Sequence, residues 1–191
     1  KELLTPDDSL EELGALCREL NLAIYYSAPD FLIGSNHQMN EIGFKCLARE
    51  ADELGAELLK MPLGNYDFFE TDMFRMNEAL VENLQNHELK ITIENDQTLG
   101  GGNVNRIAHF LSCSEKFDIP IRLTFDTGNW LYTEEVPMEA AKDLAGYVDY
   151  IHLKQVKREK EGWVTEPVSM PLLPEVMELL EKFNGACPVA I

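Results

Sequence analysis

The sequence predicts an α/β fold in which parallel strands alternate with helices packed outside them, and three observations carry that expectation. Short apolar runs rich in branched residues recur about every 30 to 40 residues, the span of a strand–helix–strand crossover. These runs are apolar throughout rather than alternating, which suits strands covered on both faces. Between them, apolar residues return at helical spacing.

The chain opens on "KELLTPDDSLEELGALCREL", an acidic polar loop leading into a helix. "LAIYYS" (22–27) is the first strand. "EIGFKCLAREADELG" (41–55) reads as an amphipathic helix with Ile42, Cys46, Leu47 and Ala51 on one side, and Gly55 stands where a left-handed cap is wanted. "AELLKMP" (56–62) is the second strand. The next helix is "MFRMNEALVENLQNH" (73–87), with Met73, Met76, Leu80 and Leu84 facing inward. "KITIEN" (90–95), "IRLTFD" (121–126) and "YIHLK" (150–154) continue the series of strands. A second helix stop, "FNG" (183–185), precedes the last strand, "PVAI" (188–191).

Six such units fit an open doubly wound sheet or an incomplete (β/α)8 barrel. The ends favour the barrel, because no strand precedes the first helix and the chain stops inside an apolar strand. About two further units would bring the length to the roughly 250 residues usual for that fold. The expectation is one domain over residues 1–191, a TIM barrel lacking its first strand–helix units and the end of its last strand.

At 191 residues and 45% hydrophobic composition the chain can bury a core without disulfides. Cys17, Cys46, Cys113 and Cys187 show no CxxC pairing and sit in apolar segments, so they read as reduced structural thiols. A formal net charge of -18 disfavours a nucleic-acid partner. Small anions remain admissible, since one or two lysines at the mouth of a site can hold a phosphate. No apolar run approaches bilayer length and the first residues are not an export signal, so the reading is cytoplasmic, with no membrane partner.

In both α/β architectures ligands bind at the carboxyl ends of the strands. That rule selects Glu94, Asn95 and Asp96, then Asp126, then His152 and Lys154, with Lys60 on the second strand. His152 is the histidine that falls in a strand; His37, His87 and His109 fall in helices or loops. Glu94, Asp126 and His152 lie on successive strands at corresponding heights, and two carboxylates with one imidazole suit Mn²⁺, Zn²⁺, Co²⁺ or Mg²⁺. The competing reading has the acids capping loops and His152 satisfied in the core. Lys154, two residues past His152, shares its strand face and can bind a substrate hydroxyl, carboxylate or phosphate, as can Lys60; a surface lysine is the alternative. "QTLGGGNV" (97–104) reads as a flexible loop beside the site, and Trp130 and Tyr132 either wall a sugar pocket or pack.

"ITIENDQ" (91–97), "LTFDTGNW" (123–130) and "YIHLKQ" (150–155), in that order and followed by "PVAI", resemble the xylose isomerase-like TIM barrels grouped as sugar phosphate isomerases and epimerases. The resemblance covers most of the chain. It implies one divalent metal held by Glu, Asp, His and a final Glu; Glu94, Asp126 and His152 match the first three, and the fourth is expected directly after Ile191. It also implies proton transfer through a metal-stabilised enediolate of a sugar or sugar phosphate, with Glu94 as both ligand and catalytic acid/base. A homo-oligomer is compatible with it. The family's DxxH pattern has Asn129 in the histidine position here, and an asparagine can bind a sugar hydroxyl but not carry a proton. That departure keeps a non-catalytic sugar- or metal-binding barrel in view. An endonuclease IV-like phosphodiesterase ranks lower, for want of further histidines and a basic surface.

Overall fold

The computed structural model describes residues 9–84, 89–169, 172–183 and 185–191. Along the chain run α1 (Leu10–Glu19), β1 (Tyr25–Ser27), α2 (Glu41–Leu54), β2 (Leu58–Pro62), α3 (Met73–Leu84) and β3 (Lys90–Glu94). There follow α4 (Val104–Lys116), β4 (Ile121–Asp126), the short α5 (Asn129–Tyr132), α6 (Pro137–Leu144) and β5 (Val148–His152). The chain continues through β6 (Gln155–Glu159), β7 (Gly162–Glu166), α7 (Pro174–Leu180) and β8 (Val189–Ala190).

Six strands form one parallel sheet in the order β1-β2-β3-β4-β5-β8, the sequential order of a barrel rather than the crossed order of a doubly wound sheet. Tyr25 on β1 and Tyr150 on β5 meet edge to face with ring centroids 5.0 Å apart. Four inter-strand steps in a flat sheet would hold these positions about 19 Å apart. The sheet is therefore curled into a half-barrel, and the two tyrosines close its interior.

Strand alternation sorts the side chains. Leu59, Met61, Ile91, Ile93, Leu123, Phe125 and Ile151 face outward into the core beneath the helices, where each is at most 3% exposed. The opposite parity places Lys60, Thr92, Glu94, Thr124, Asp126, Tyr150 and His152 inside the curl. Thr92 and Thr124, both fully buried, join hydroxyls across β3 and β4 at 2.7 Å.

Helix α2 starts where Asn40 accepts from the Gly43 N–H and ends at Gly55, which adopts the left-handed conformation with φ 68°. Its inner face differs from the one read in the sequence. Phe44, Leu47, Ala48, Ala51 and Leu54 are buried, while Ile42 is 83% exposed and Cys46 is also exposed. Ile42 and Cys46 each lie about 160° around the helix from Phe44, and the bulkiest side chain sets the buried stripe. Helix α3 buries Met73, Met76 and Leu80 as expected, with Ala79 besides, while Leu84 is only partly buried against the core. The end of its predicted span, with His87, lies outside the described residues, as do Asn184 in the "FNG" stop and the opening loop at 1–8.

Two further differences bear on function. The fifth strand ends at His152 rather than Lys154, and an unforeseen antiparallel hairpin, β6 with β7, follows at once. No disulfide joins the four cysteines and none is fully buried: Cys113 and Cys187 pack partly buried against the core, whereas Cys46 is exposed. Trp130 resolves as packing: it is fully buried against Phe125, centroids 5.3 Å apart. Among the described residues no helix is long and apolar enough to cross a membrane.

Candidate metal centre

At the end of β4 the chain must turn out of the core, and Asp126 organises that turn with one carboxylate oxygen. Its Oδ1 accepts from the N–H groups of Gly128 and Asn129, both at 2.9 Å, which starts α5. Asn95, fully buried at the end of β3, clamps the same residue: its Oδ1 accepts from Asp126 N at 2.8 Å and its Nδ2 donates to Asp126 O at 3.0 Å. Asp126 is 1% exposed, and its Oδ2 is buried without a conventional hydrogen bond. That oxygen faces two cationic groups instead, His152 Nδ1 at 3.2 Å and Lys154 Nζ at 3.3 Å.

Asp126 and His152 sit directly opposite each other in the β4–β5 ladder, whereas Glu94 pairs with Thr124 and stands two residues lower. The three are thus not level, because barrel strands are staggered. The longer glutamate side chain makes up the difference, and its Oε1 lies 3.0 Å from His152 Nδ1. Lys60, opposite Thr92, reaches up to the same Oε1 at 2.8 Å. With 10% of its side chain exposed, an unpaired ammonium there would cost several kcal/mol, so Glu94 is its necessary counterion.

Lys154 lies beyond the strand but is still brought to the site. Thr127 Oγ1 accepts from Lys154 N at 2.9 Å and donates to Lys154 O at 3.0 Å, pinning its backbone to the β4 turn. Its Nζ donates to Asn129 Oδ1 at 2.8 Å. Asn129 is 5% exposed; Gln97 Nε2 also donates to its Oδ1 at 3.2 Å, and its Nδ2 donates to Asn95 O at 2.7 Å. Lys60, Glu94, Asn95, Asp126, Asn129, His152 and Lys154 therefore belong to one connected network, whereas Asp96 turns back onto Thr98 of its own loop. Gln97 and Thr127 are additional members, joined through Asn129 and Lys154.

The charges respond to this packing. Burial pushes the Asp126 carboxyl up, but the imidazole of His152, the ammonium of Lys154 and the Asn129 N–H outweigh it and hold the group below the ordinary carboxylate range. Asp126 first and Glu94 second raise His152 to about 9 against its own burial. Near neutral pH the ring is a cation between two anions, occupying the place that a metal would take.

The donor set fits a divalent ion. Ligand atoms of Glu94, Asp126 and His152 all lie within 4.8 Å of one another, and the buried Asp126 Oδ2 has a lone pair that no hydrogen bond claims. Two other histidines lie elsewhere: His37 Nδ1 meets Asn65 O at 2.8 Å, and His109 stacks on Phe68 and meets the Tyr66 hydroxyl at 2.7 Å on the outside of the sheet.

A parallel half-barrel with a metal-competent triad at its carboxyl rim defines an α/β barrel with a candidate divalent-metal centre. No protein-family model and no curated protein matches the sequence. Solved structures do match the fold. An L-ribulose 3-epimerase superposes with a TM-score of 0.66 at 15% identity, over 97% of this chain and 67% of its own. The IolI protein with a bound zinc atom gives 0.63 at 14% identity, over 96% of this chain and 72% of its own. An AP endonuclease, family 2, from Brucella melitensis gives 0.59 at 14% identity, over 97% of this chain and 79% of its own. The fold is that of the xylose isomerase-like TIM barrels, which bears out the architecture implied by the motifs.

Proposed function

We propose that the chain forms the site of a divalent-metal-dependent isomerase or epimerase acting on a sugar or sugar phosphate by proton transfer next to a carbonyl. The observation that carries this reading is the buried Asp126 Oδ2, free of hydrogen bonds and gathered with Glu94 and His152 within 4.8 Å. A bound divalent ion supplies Lewis acidity to adjacent carbonyl and hydroxyl oxygens, so that a neighbouring C–H becomes acidic enough to ionise.

The protein's own residues divide the remaining work. Asp126 keeps its ionised form because its turn and its cationic neighbours favour it. Glu94 is only partly buried where Asp126 is sealed, so it is the carboxylate open enough to exchange a proton with substrate; Lys60 fixes its other contact. Thr92 and Thr124 plug the interior beneath the triad, and Tyr25 with Tyr150 closes it further. A glutamate following Ile191, implied by the family resemblance, would be the fourth ligand and the counterpart acid/base. The zinc of the IolI protein and the epimerase activity named for L-ribulose 3-epimerase support this reading from the same fold.

Asn129 favours one rival. Its amide oxygen is taken by Gln97 and Lys154, one amide hydrogen goes to the Asn95 carbonyl, and an amide carries no exchangeable catalytic proton, which suits a barrel that binds without turning over. Phosphodiester hydrolysis, the chemistry suggested by the AP endonuclease likeness, fits less well with a net charge of -18. The test incubates the protein at its full natural length with Mn²⁺ and a panel of ketoses, aldoses and their phosphates in D₂O. Deuterium entering a substrate carbon next to the carbonyl, lost on adding chelator or in Glu94→Gln, is the expected result. Stoichiometric metal binding without deuterium in any sugar would sink the isomerase reading and leave the binding barrel.

A further inference from the structure

The site holds more positive charge than a neutral sugar requires. Lys60 and Lys154 stand against Glu94 and Asp126, so two ammonium groups already balance two carboxylates. A divalent ion seated among Glu94, Asp126 and His152 adds its whole charge to that balance, and one further carboxylate ligand would still leave a positive charge over. Unmatched charge in a site this shielded is costly. The residues therefore call for an anion in the complete complex.

The two lysines are not equivalent. Lys60 lies deeper, its side chain 10% exposed, and its ammonium rests on Glu94 alone among the carboxylates of the triad. Lys154 is nearer the rim, 20% exposed, and lies 3.3 Å from Asp126 Oδ2, the very oxygen a cation would claim. When that oxygen is claimed, Lys154 loses its carboxylate but stays in place, because Asn129 Oδ1 holds its ammonium at 2.8 Å. Asn129 is itself held by Gln97 and by the Asn95 carbonyl, which commits its Oδ1 to Lys154 and Gln97 and one Nδ2 hydrogen to Asn95.

We infer that Lys154 is the seat for an anionic group, phosphate or carboxylate, on an α-hydroxycarbonyl substrate, with Asn129 positioning its ammonium. This rests on the metal-dependent reading above and narrows its substrate class to anions. Metal and anion then help each other bind, since the first releases the lysine that the second uses.

Calorimetric titration of the Co²⁺-loaded protein at full natural length with dihydroxyacetone, hydroxypyruvate and dihydroxyacetone phosphate reads this directly. The three share the group that meets the metal and differ in charge. At least one of the two anions binds about tenfold or more tightly than the neutral ketone, and whichever is preferred separates carboxylate from phosphate. Lys154→Met removes the preference and Lys154→Arg restores most of it, while both variants still take up Co²⁺. Equal affinities in the unaltered protein, or a preference that survives Lys154→Met, overturn the inference with the metal site intact. Failure to take up Co²⁺ at all overturns the metal-dependent function, and this inference with it.

Discussion

Asp96 follows β3 and Asp126 ends β4, and each folds one carboxylate oxygen back onto its own loop. Asp96 Oδ1 accepts from the Thr98 N–H at 2.7 Å; Asp126 Oδ1 accepts from the Gly128 and Asn129 N–H groups at 2.9 Å. Each leaves a buried Oδ2 without a hydrogen bond. The difference is what that second oxygen meets. Asp96 Oδ2 is packed against Gly101, so closely that a Cβ there would lie 2.2 Å from it. Asp126 Oδ2 opens into the half-barrel, toward His152 and Lys154. Capping a turn and holding a ligand are therefore not rival roles for an aspartate: a carboxylate has two oxygens, and the direction of the second decides whether the residue is more than a cap.

The largest effect that tests this comparison is on metal affinity. Asp126→Asn keeps an oxygen for the turn but loses the charged ligand atom, so Zn²⁺ affinity should fall by more than the roughly 10- to 100-fold that loss of an outer partner brings; His152 and Lys154 lose a counterion, so the melting temperature of the metal-free protein should fall as well. Asp96→Asn should leave the affinity within about twofold. Calorimetry on both variants reads the contrast, and equal losses would mean that the two loops do not differ as described.

A smaller, graded effect is the dependence on pH. The folded protein holds His152 at about 9, above its ordinary 6.5, so its stabilising contribution in the metal-free protein is complete below pH 6.5 and is lost as pH rises through about 9. Metal must displace that proton, so apparent affinity should climb about tenfold per pH unit between pH 7 and about 9 and then level off. About one proton should leave per ion bound near pH 7, measurable by titration in buffers of different ionisation heat. A flat profile would show that His152 is not a ligand. The smallest effect concerns the cap alone: Asp96→Ala should cost about 1 kcal/mol in urea unfolding, with metal binding kept.

Much of this was legible before folding. Glu94, Asp126 and His152 stand where apolar runs stop, and strand ends in such folds converge on one rim, so residue type and position sufficed. The stagger of Glu94 against Asp126 was not legible, because register depends on pairing between strands some thirty residues apart. Nor was the engagement of Asn129, whose partners Asn95, Gln97 and Lys154 meet it only in the assembled rim. The β6–β7 hairpin escaped notice because "QVKRE" and "GWVTE" are polar, surface-facing strands without a continuous apolar run. Ile42 and Cys46 were assigned to the wrong side of α2 because an apolar residue need not be an inward one.

The central claim is that one divalent ion binds among Glu94, Asp126 and His152. Anomalous diffraction from Zn²⁺-loaded crystals, collected on both sides of the zinc absorption edge, tests it most directly. A single strong peak within about 2.0 to 2.2 Å of a nitrogen of His152 and of carboxylate oxygens of Glu94 and Asp126 is the predicted result. A peak elsewhere, or clear density for His152 still hydrogen-bonded to Glu94 and paired with Asp126 while zinc binds the protein in solution, would contradict it.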